Sequence, residues 1–209
     1  MIWVAGNSNL PHRASRFFIG GYLNPFMVSE NLLRELNKQI NEELYSQYIY
    51  EAMAADLWDK NFKGMAHWMW IQAHEEQAHA TIFYNYIINR RLKVELEALA
   101  KPPATWASPL AIFEGAHEHE LHITSRINYL MELARAEKDF ATVKMLDWFT
   151  EEQVEEEANT DEAAKNLALI GNDGRGLLML DREMSTRVFA APTNPYYTPF
   201  FNAGVAAAA

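Results

Sequence analysis

The chain has no cysteine, so it can build no disulfide, no iron-sulfur cluster and no thiolate metal site. Any metal it binds must be held by oxygen and nitrogen, which points to hard or borderline ions such as iron, manganese or zinc. Positive charge is also scarce. Against 28 Asp and Glu there are 18 Lys and Arg, a formal net charge of -10. That balance argues against a general nucleic-acid binder, because neutralising phosphates takes a basic surface. No apolar run reaches the length of a membrane span. The opening residues "MIWVAGNSNLPHRASRFFIGGYL" are broken by Asn, Pro, His and Arg where a signal peptide would be continuous. A soluble, cytoplasmic protein without nucleic-acid or membrane partners is expected, and 209 residues suit a single domain with a sizeable core.

Glycine and proline are nearly absent from four long stretches and gather between them, and this sets the organisation. Met1 to Val28 are rich in Gly, Asn and Pro without a sustained period and read as an irregular extension. Ser29 followed by Glu30 reads as a helix N-cap with a first-turn acid. From there Leu33, Leu36, Ile40, Leu44, Tyr50, Ala54 and Leu57 mark one long helix. Asn61 to Gly64 breaks the pattern. Met65, Met69, Ala73, Ala80, Phe83 and Ile87 restart it.

The prolines of "AKPPATWASP" forbid a helix between the second and third periodic segments. That connection is too long for a hairpin, so it reads as a crossover running the length of the molecule. Ser108 and Pro109 form an N-cap and N1 pair. A third helix follows with Leu110, Phe113, Ala116, Ile123, Ile127, Leu130 and Ala134. After the turn "AEKDF", a fourth places Phe140, Val143, Leu146, Phe149, Ala163, Leu167 and Ile170 on its apolar side. "GNDGRG" stops it, and residues 171–187 hold a short fifth helix. Residues 188–209 read as an irregular tail whose aromatics pack back on the bundle or meet a partner. Short, long and short connections between long helices predict an all-α protein, a four-helix bundle over residues 29–170 with one crossover.

The stripes fail where they should be most apolar. The first helix interrupts its seam with Glu43 and Gln47, the second with Gln72, Glu76 and His79, the third with Glu120, and the fourth with Gln153 and Glu156. Each failure falls near mid-helix, so in a bundle the four meet at one level. Buried unpaired carboxylates cost several kcal/mol each as ions, and like charges at close range cannot all stay ionised. A multivalent cation removes both penalties. A lone Glu-x-x-His such as Glu76 to His79 is more often a solvated face than a site, but four coincident polar positions are not explained by a misphased helix. Glu43, Glu76, His79 and Glu120, with Gln153 beside them, therefore read as a dinuclear metal site. Tyr50, seven residues after Glu43, reads equally as a hydrogen-bonding neighbour of a ligand or as an ordinary buried tyrosine. The acid run "TEEQVEEEANTDE" is by default a solvated face, yet Glu152 and Glu156, with Glu75 from the second helix, could bind a further cation.

The strings "LNKQINEELYSQYIY", "AHEEQAHA", "HEHELHITSRIN", "LDWFTEEQVEEEA" and "GLLMLDRE" together resemble the bacterial and archaeal non-haem ferritins, in order and with family-like spacing, over about Met27 to Arg187. The resemblance implies a ferritin-like bundle with a short fifth helix, assembled as a hollow homo-oligomeric shell of twenty-four subunits. It implies a ferroxidase that oxidises Fe(II) with dioxygen or peroxide and stores ferric mineral. Position by position, Glu43, Glu76, His79 and Glu120 match the family's di-iron ligands, Glu76 the bridging carboxylate and Gln153 the glutamine behind the oxygen side. Glu75, Glu152 and Glu156 match a neighbouring third iron site, and Tyr50 a tyrosine beside the centre. Bacterioferritin carries a second Glu-x-x-His and a haem-ligating Met after the glutamate of the second helix. Here Glu155 follows Glu152 at that spacing and Gln77 follows Glu76, so no haem is expected. A di-iron or manganese enzyme that reduces peroxide without storing mineral is the alternative within the same superfamily.

Overall fold

A computed structural model describes residues 28–197. Within them the chain forms five helices and no strand: α1 Glu30–Asp59, α2 Lys63–Asn89, α3 Pro109–Ala136, α4 Phe140–Ile170 and α5 Gly174–Met184. α1, α3 and α4 begin where the sequence supplies a side-chain cap. Ser29 Oγ accepts from the Leu32 amide at 3.0 Å, Ser108 Oγ from Ala111 at 3.1 Å, and Asp139 Oδ1 from Thr142 at 3.0 Å. Each satisfies one of the amides that a helix start leaves open. The turns need left-handed backbone: Asn61 and Lys138 take φ of 65° and 58°, and Gly171 closes α4 at 58°.

α1 packs along α2 and α3 along α4, and the two hairpins close on each other mainly through α1 and α3. Residues 90–108 join them without helix. Asn37 holds the start of this crossover, its Oδ1 accepting from the Glu95 amide at 2.7 Å. Asp56 holds the end, Oδ2 accepting from the Trp106 amide at 3.0 Å. Those anchors lie about 28 Å apart along α1 at 1.5 Å per residue, so the crossover spans the bundle as expected. Arg90, where the crossover leaves α2, is tied to the start of α4 by two 2.9 Å bonds to Asp139.

The apolar interior is divided. One cluster gathers Met53, Leu57, Met65, Met69, Phe113 and Leu167 at the α5 end. The other gathers Leu36, Ile40, Phe83, Ile127, Leu146 and Phe149 at the opposite end. Burying each such side chain stabilises the fold by about 1.5–3 kcal/mol. Between the clusters lie Gln39, Glu43, Ser46, Gln72, Glu76, His79, Glu120, Gln153, Glu156 and Thr160, all buried.

Four details of the sequence reading change. In α1 the seam runs through Leu32 and Ser46, which are buried, and not through Leu33 and Gln47, which are half-covered; Gln47 turns along the helix to Glu51 at 3.0 Å. In α4 Phe140 is 70% exposed and Val143 half-buried, because the core face is set by Thr142, Met145, Leu146 and Phe149. Both shifts are one residue of helical phase. Gly64, assigned to the break, belongs to the first turn of α2. Gly174 and Gly176 likewise lie in the first turn of α5, where Asp173 caps the amides of Arg175 and Gly176.

Gly64 is required by packing. A Cβ there would lie 1.5 Å from the Asp181 carbonyl oxygen of α5. The close approach lets Asp181 Oδ1 accept from the amides of Gly64 and Met65 at 2.9 and 3.0 Å, so a carboxylate of α5 caps the start of α2. Beyond α5 the tail leaves helix and lies along α2. Tyr196 meets Tyr86 edge-on at 5.2 Å, and its carbonyl accepts from Asn85 Nδ2 at 2.8 Å. The tail thus packs back on its own bundle as far as it is described. Residues 1–27 and 198–209, covering most of the expected N-terminal extension and the end of the tail, lie outside the described residues.

Candidate metal centre

α1 contributes Glu43, one turn after Gln39 and two before Tyr50; α2 contributes Glu76 and His79 on successive turns of one face. Ligating atoms of Glu43, Glu76 and His79 all lie within 4.8 Å of one another, and all three residues are buried. A second group, His79 with Glu152 and Glu156, meets the same limit and shares the imidazole with the first. Glu120 of α3 is buried but stands outside both groups. Its Oε1 accepts from the Tyr50 hydroxyl and its Oε2 from Gln153 Nε2 at 3.3 Å. Glu75 is turned to an ion pair with Arg187.

Hydrogen bonds fix these groups from behind. Gln39 Nε2 donates to Glu43 Oε1 at 2.9 Å. Gln72 Nε2 donates to Glu76 Oε1 at 3.2 Å and to Glu156 Oε2 at 2.7 Å. The His79 ring is held edge-on by Trp148 and Phe149, with centroids 5.6 and 5.7 Å away, and its Nδ1 lies 3.3 Å from Glu76 Oε2. Glu43 Oε2 and His79 Nε2 are buried without a hydrogen-bond partner. Such orphaned atoms are costly in a core, and here they belong to two residues of the ligand-spaced group.

The electrostatics tell the same story. Burial, with Glu76 close by, pushes the Glu43 carboxyl up to about 8. Burial and the same neighbour raise Glu156 to about 8, and Glu120 is carried well above the carboxylate range for the same two reasons. Burial alone would raise Glu76, but the His79 charge and hydrogen bond hold it below its ordinary value. Burial would lower His79, yet Glu76 and Glu152 lift it well above the usual imidazole range. Without a cation the layer keeps protons at neutral pH. A multivalent ion supplies the missing charge, and carboxylates with one imidazole are a donor set for iron, manganese or zinc.

Several contributors escaped the sequence reading. Gln39 and Ser46 share Glu43's face at i-4 and i+3, a spacing that could have flagged them. His119, one residue before Glu120, lies with Nε2 2.7 Å from Ser46 Oγ and its ring edge-on to Tyr50 at 5.9 Å. Gln72 was visible as a polar break in the seam, but its bridging of two carboxylates depends on α4. Arg187 falls at the end of the stretch expected as the fifth helix, but α5 stops at Met184, and nothing in the sequence marks Arg187 as reaching the centre.

An antiparallel bundle with one long crossover, cut at mid-height by carboxylates and a histidine, defines the class of ferritin-like metal proteins. Comparison with known proteins narrows this. The Ferritin-like domain family model matches residues 33–170. A bacterial non-heme ferritin of Staphylococcus aureus strain MRSA252 is 39% identical over 163 residues, covering 78% of this chain and 98% of that protein. A bacterial non-heme ferritin of Staphylococcus saprophyticus is 37% identical over the same length and coverage. An open-pore ferritin of the hyperthermophilic archaeon Archaeoglobus fulgidus superposes with a TM-score of 0.77 at 45% identity, covering 78% of this chain and all of that one. An engineered closed form of the same ferritin gives 0.77 at 44% identity. The chain belongs to the ferritin family, whose work is iron storage coupled to ferroxidase activity. Nothing in these comparisons favours a peroxide-reducing enzyme without storage.

Proposed function

We propose that Glu43, Glu76, His79 and Glu120 receive two ferrous ions as substrate and that Glu76, central to the layer, bridges them. Glu43 and His79 complete one position and Glu120 the other. Gln153, bonded to Glu120, tunes the oxygen side from behind, and Tyr50 steadies the same carboxylate. Glu152 and Glu156, with Glu75, offer a third position next to His79. Each ferrous ion gives up one electron, and dioxygen or peroxide takes up the pair. Carboxyl groups that carry protons before iron arrives release them as it binds. The ferric product is stored as mineral. No haem takes part.

The observation that carries this reading is the buried group of Glu43, Glu76 and His79, with Glu43 Oε2 lacking a hydrogen bond and His79 Nε2 only 3.7 Å from Glu152 Oε1, between two apolar clusters. We further propose a homo-oligomeric shell of twenty-four copies. The solved archaeal relatives, an open-pore ferritin and an engineered closed form, support a shell with pores. Among the described residues no helix is long and apolar enough to cross a membrane, and the proposed setting of the shell is the cytoplasm.

The test is aerobic addition of ferrous iron to the iron-free protein, following ferric absorbance and then counting iron retained after gel filtration. Rapid oxidation with far more than about three irons held per subunit is expected. Oxidation that stops at about two per subunit would replace storage by redox turnover. Light scattering should give a mass of roughly 580 kDa, twenty-four copies of the 24.0 kDa chain.

A further inference from the structure

Arg187, three residues beyond α5, reaches the centre from outside the four-helix bundle. Its guanidinium lies over Trp68, 4.1 Å from the ring centroid, and its carbonyl accepts from the His67 ring Nε2 at 2.8 Å. The side chain is 17% exposed. Nη1 donates to Gln72 Oε1 at 2.7 Å, and Nη2 donates to Glu75 Oε2.

These two bonds have different consequences. A glutamine amide has one accepting and one donating end. With its oxygen taken by Arg187, Gln72 must turn its nitrogen to Glu156 and Glu76, as it does at 2.7 and 3.2 Å. The second bond draws Glu75 away from the ligand-spaced group of His79, Glu152 and Glu156, although Glu75 adjoins Glu76 in sequence. A permanent positive charge therefore stands at the edge of that group, close enough to pull down both Glu75 and Glu156 against the upward effect of burial.

We propose that Arg187 is a positioning residue that governs metal occupancy of the His79, Glu152 and Glu156 subsite, withholding Glu75 and placing a fixed cation beside it, so that a third ion binds there only by taking Glu75 from Arg187. This rests on the reading of the metal centre above. The guanidinium is the resting counter-ion of the outer acids. The two inner positions, built around Glu43 and Glu120, fill first.

Zinc titration of the full-length, iron-free shell by calorimetry reads the effect without redox chemistry. Terbium luminescence excited through Trp148, whose ring stands against His79, reports on the same subsite. In the wild-type chain about two ions per subunit bind tightly and a third weakly. In Arg187→Gln the third ion should tighten by about tenfold or more, with brighter tryptophan-excited terbium emission. Arg187→Met keeps the aliphatic stem on Trp68 and should do the same, which guards against a Gln variant that fails to assemble. Arg187→Lys keeps the charge and should restore the weak third site, a rescue that a role confined to packing α5 would not predict.

Unchanged or weaker third-ion binding in the neutral variants would overturn the proposal while leaving the inner centre intact. A lysine variant that behaves like the neutral ones would overturn it too. Failure of the underlying reading would look different, because the wild-type shell itself would then bind no zinc tightly, or Glu76→Ala would bind it as well as wild type.

Discussion

The Tyr50 hydroxyl donates to Oε1 of Glu120, joining residues 70 positions apart across the middle of the bundle. Gln153 holds the other oxygen. Glu120 is thus satisfied on both oxygens, as Glu76 is through Gln72 and His79, whereas Glu43 has one oxygen without a partner. The tyrosine is tied to a proposed ligand and is more than apolar filling.

Tyr50→Phe should therefore keep the fold and the shell but leave Glu120 less well aimed. Residues that orient metal ligands typically change affinity or rate by about 10- to 100-fold, and a slowing of ferrous oxidation in that range is expected by stopped-flow absorbance. A rate equal to wild type would reduce Tyr50 to a buried tyrosine that happens to find an acceptor.

Replacing the central carboxylate should separate chemistry from folding. Glu76→Ala is expected to abolish fast oxidation while an assembled shell still forms. Glu43→Leu should go further and raise the melting point of the iron-free protein, since it replaces a buried carboxyl whose Oε2 has no hydrogen-bond partner by an apolar group of similar volume. The same variant should lose the stabilisation that wild type gains from added zinc. A Glu43→Leu chain that melts lower without metal would show that the carboxyl is well satisfied in the resting protein.

Much of this was legible in the sequence because helical periodicity marks its own exceptions. Glu43, Glu76, His79, Glu120, Gln153 and Glu156 are each flanked above and below by apolar residues of the same stripe, and all six are buried. What periodicity cannot give is phase to within one residue: the stripe points to Leu33 and Gln47 where the fold buries Leu32 and Ser46, because a helix face spans neighbouring positions of similar polarity. Nor can it give partners across the bundle. Glu75 is paired with Arg187, which lies three residues past the end of α5 where the sequence pattern expects the helix to continue.

Stability of the iron-free protein should fall as pH rises from about 5 to 8. Glu43 and Glu156 titrate near 8 in the fold and Glu75 near 7, against an ordinary value of 4.5. Between those limits the folded chain holds protons that the unfolded chain has released, so raising pH favours unfolding. His79, raised in the fold, acts in the same direction above its ordinary value of 6.5. Glu76 is lowered and acts oppositely, but only below pH 4.5. Metal affinity must follow the reverse course and strengthen over the same window, because the ion competes with those protons. Melting curves at several pH values, with and without zinc, read both slopes. Parallel curves would mean that the layer does not titrate in the fold.

Gly64 joins the bundle to its fifth helix, and a single methyl group tests that joint. In Gly64→Ala the new Cβ would occupy the position of the Asp181 carbonyl, 1.5 Å away. Neither is the free end of a flexible side chain, so α5 must move off the start of α2. Moving it breaks both bonds from Asp181 Oδ1 to the amides of Gly64 and Met65, and it uncovers Leu180 and Met184, which complete the cluster at that end. Overpacking and loss of a cap together should cost about 2–4 kcal/mol, read as a lower melting point. The shift also carries Arg187, three residues past α5, away from Gln72 and Glu75. Zinc titration of this variant should then show the tightened third ion expected of the neutral Arg187 variants, although no residue of the centre has been changed. A chain that loses stability but keeps the weak third ion would show that Arg187 holds its place independently of the helix that precedes it.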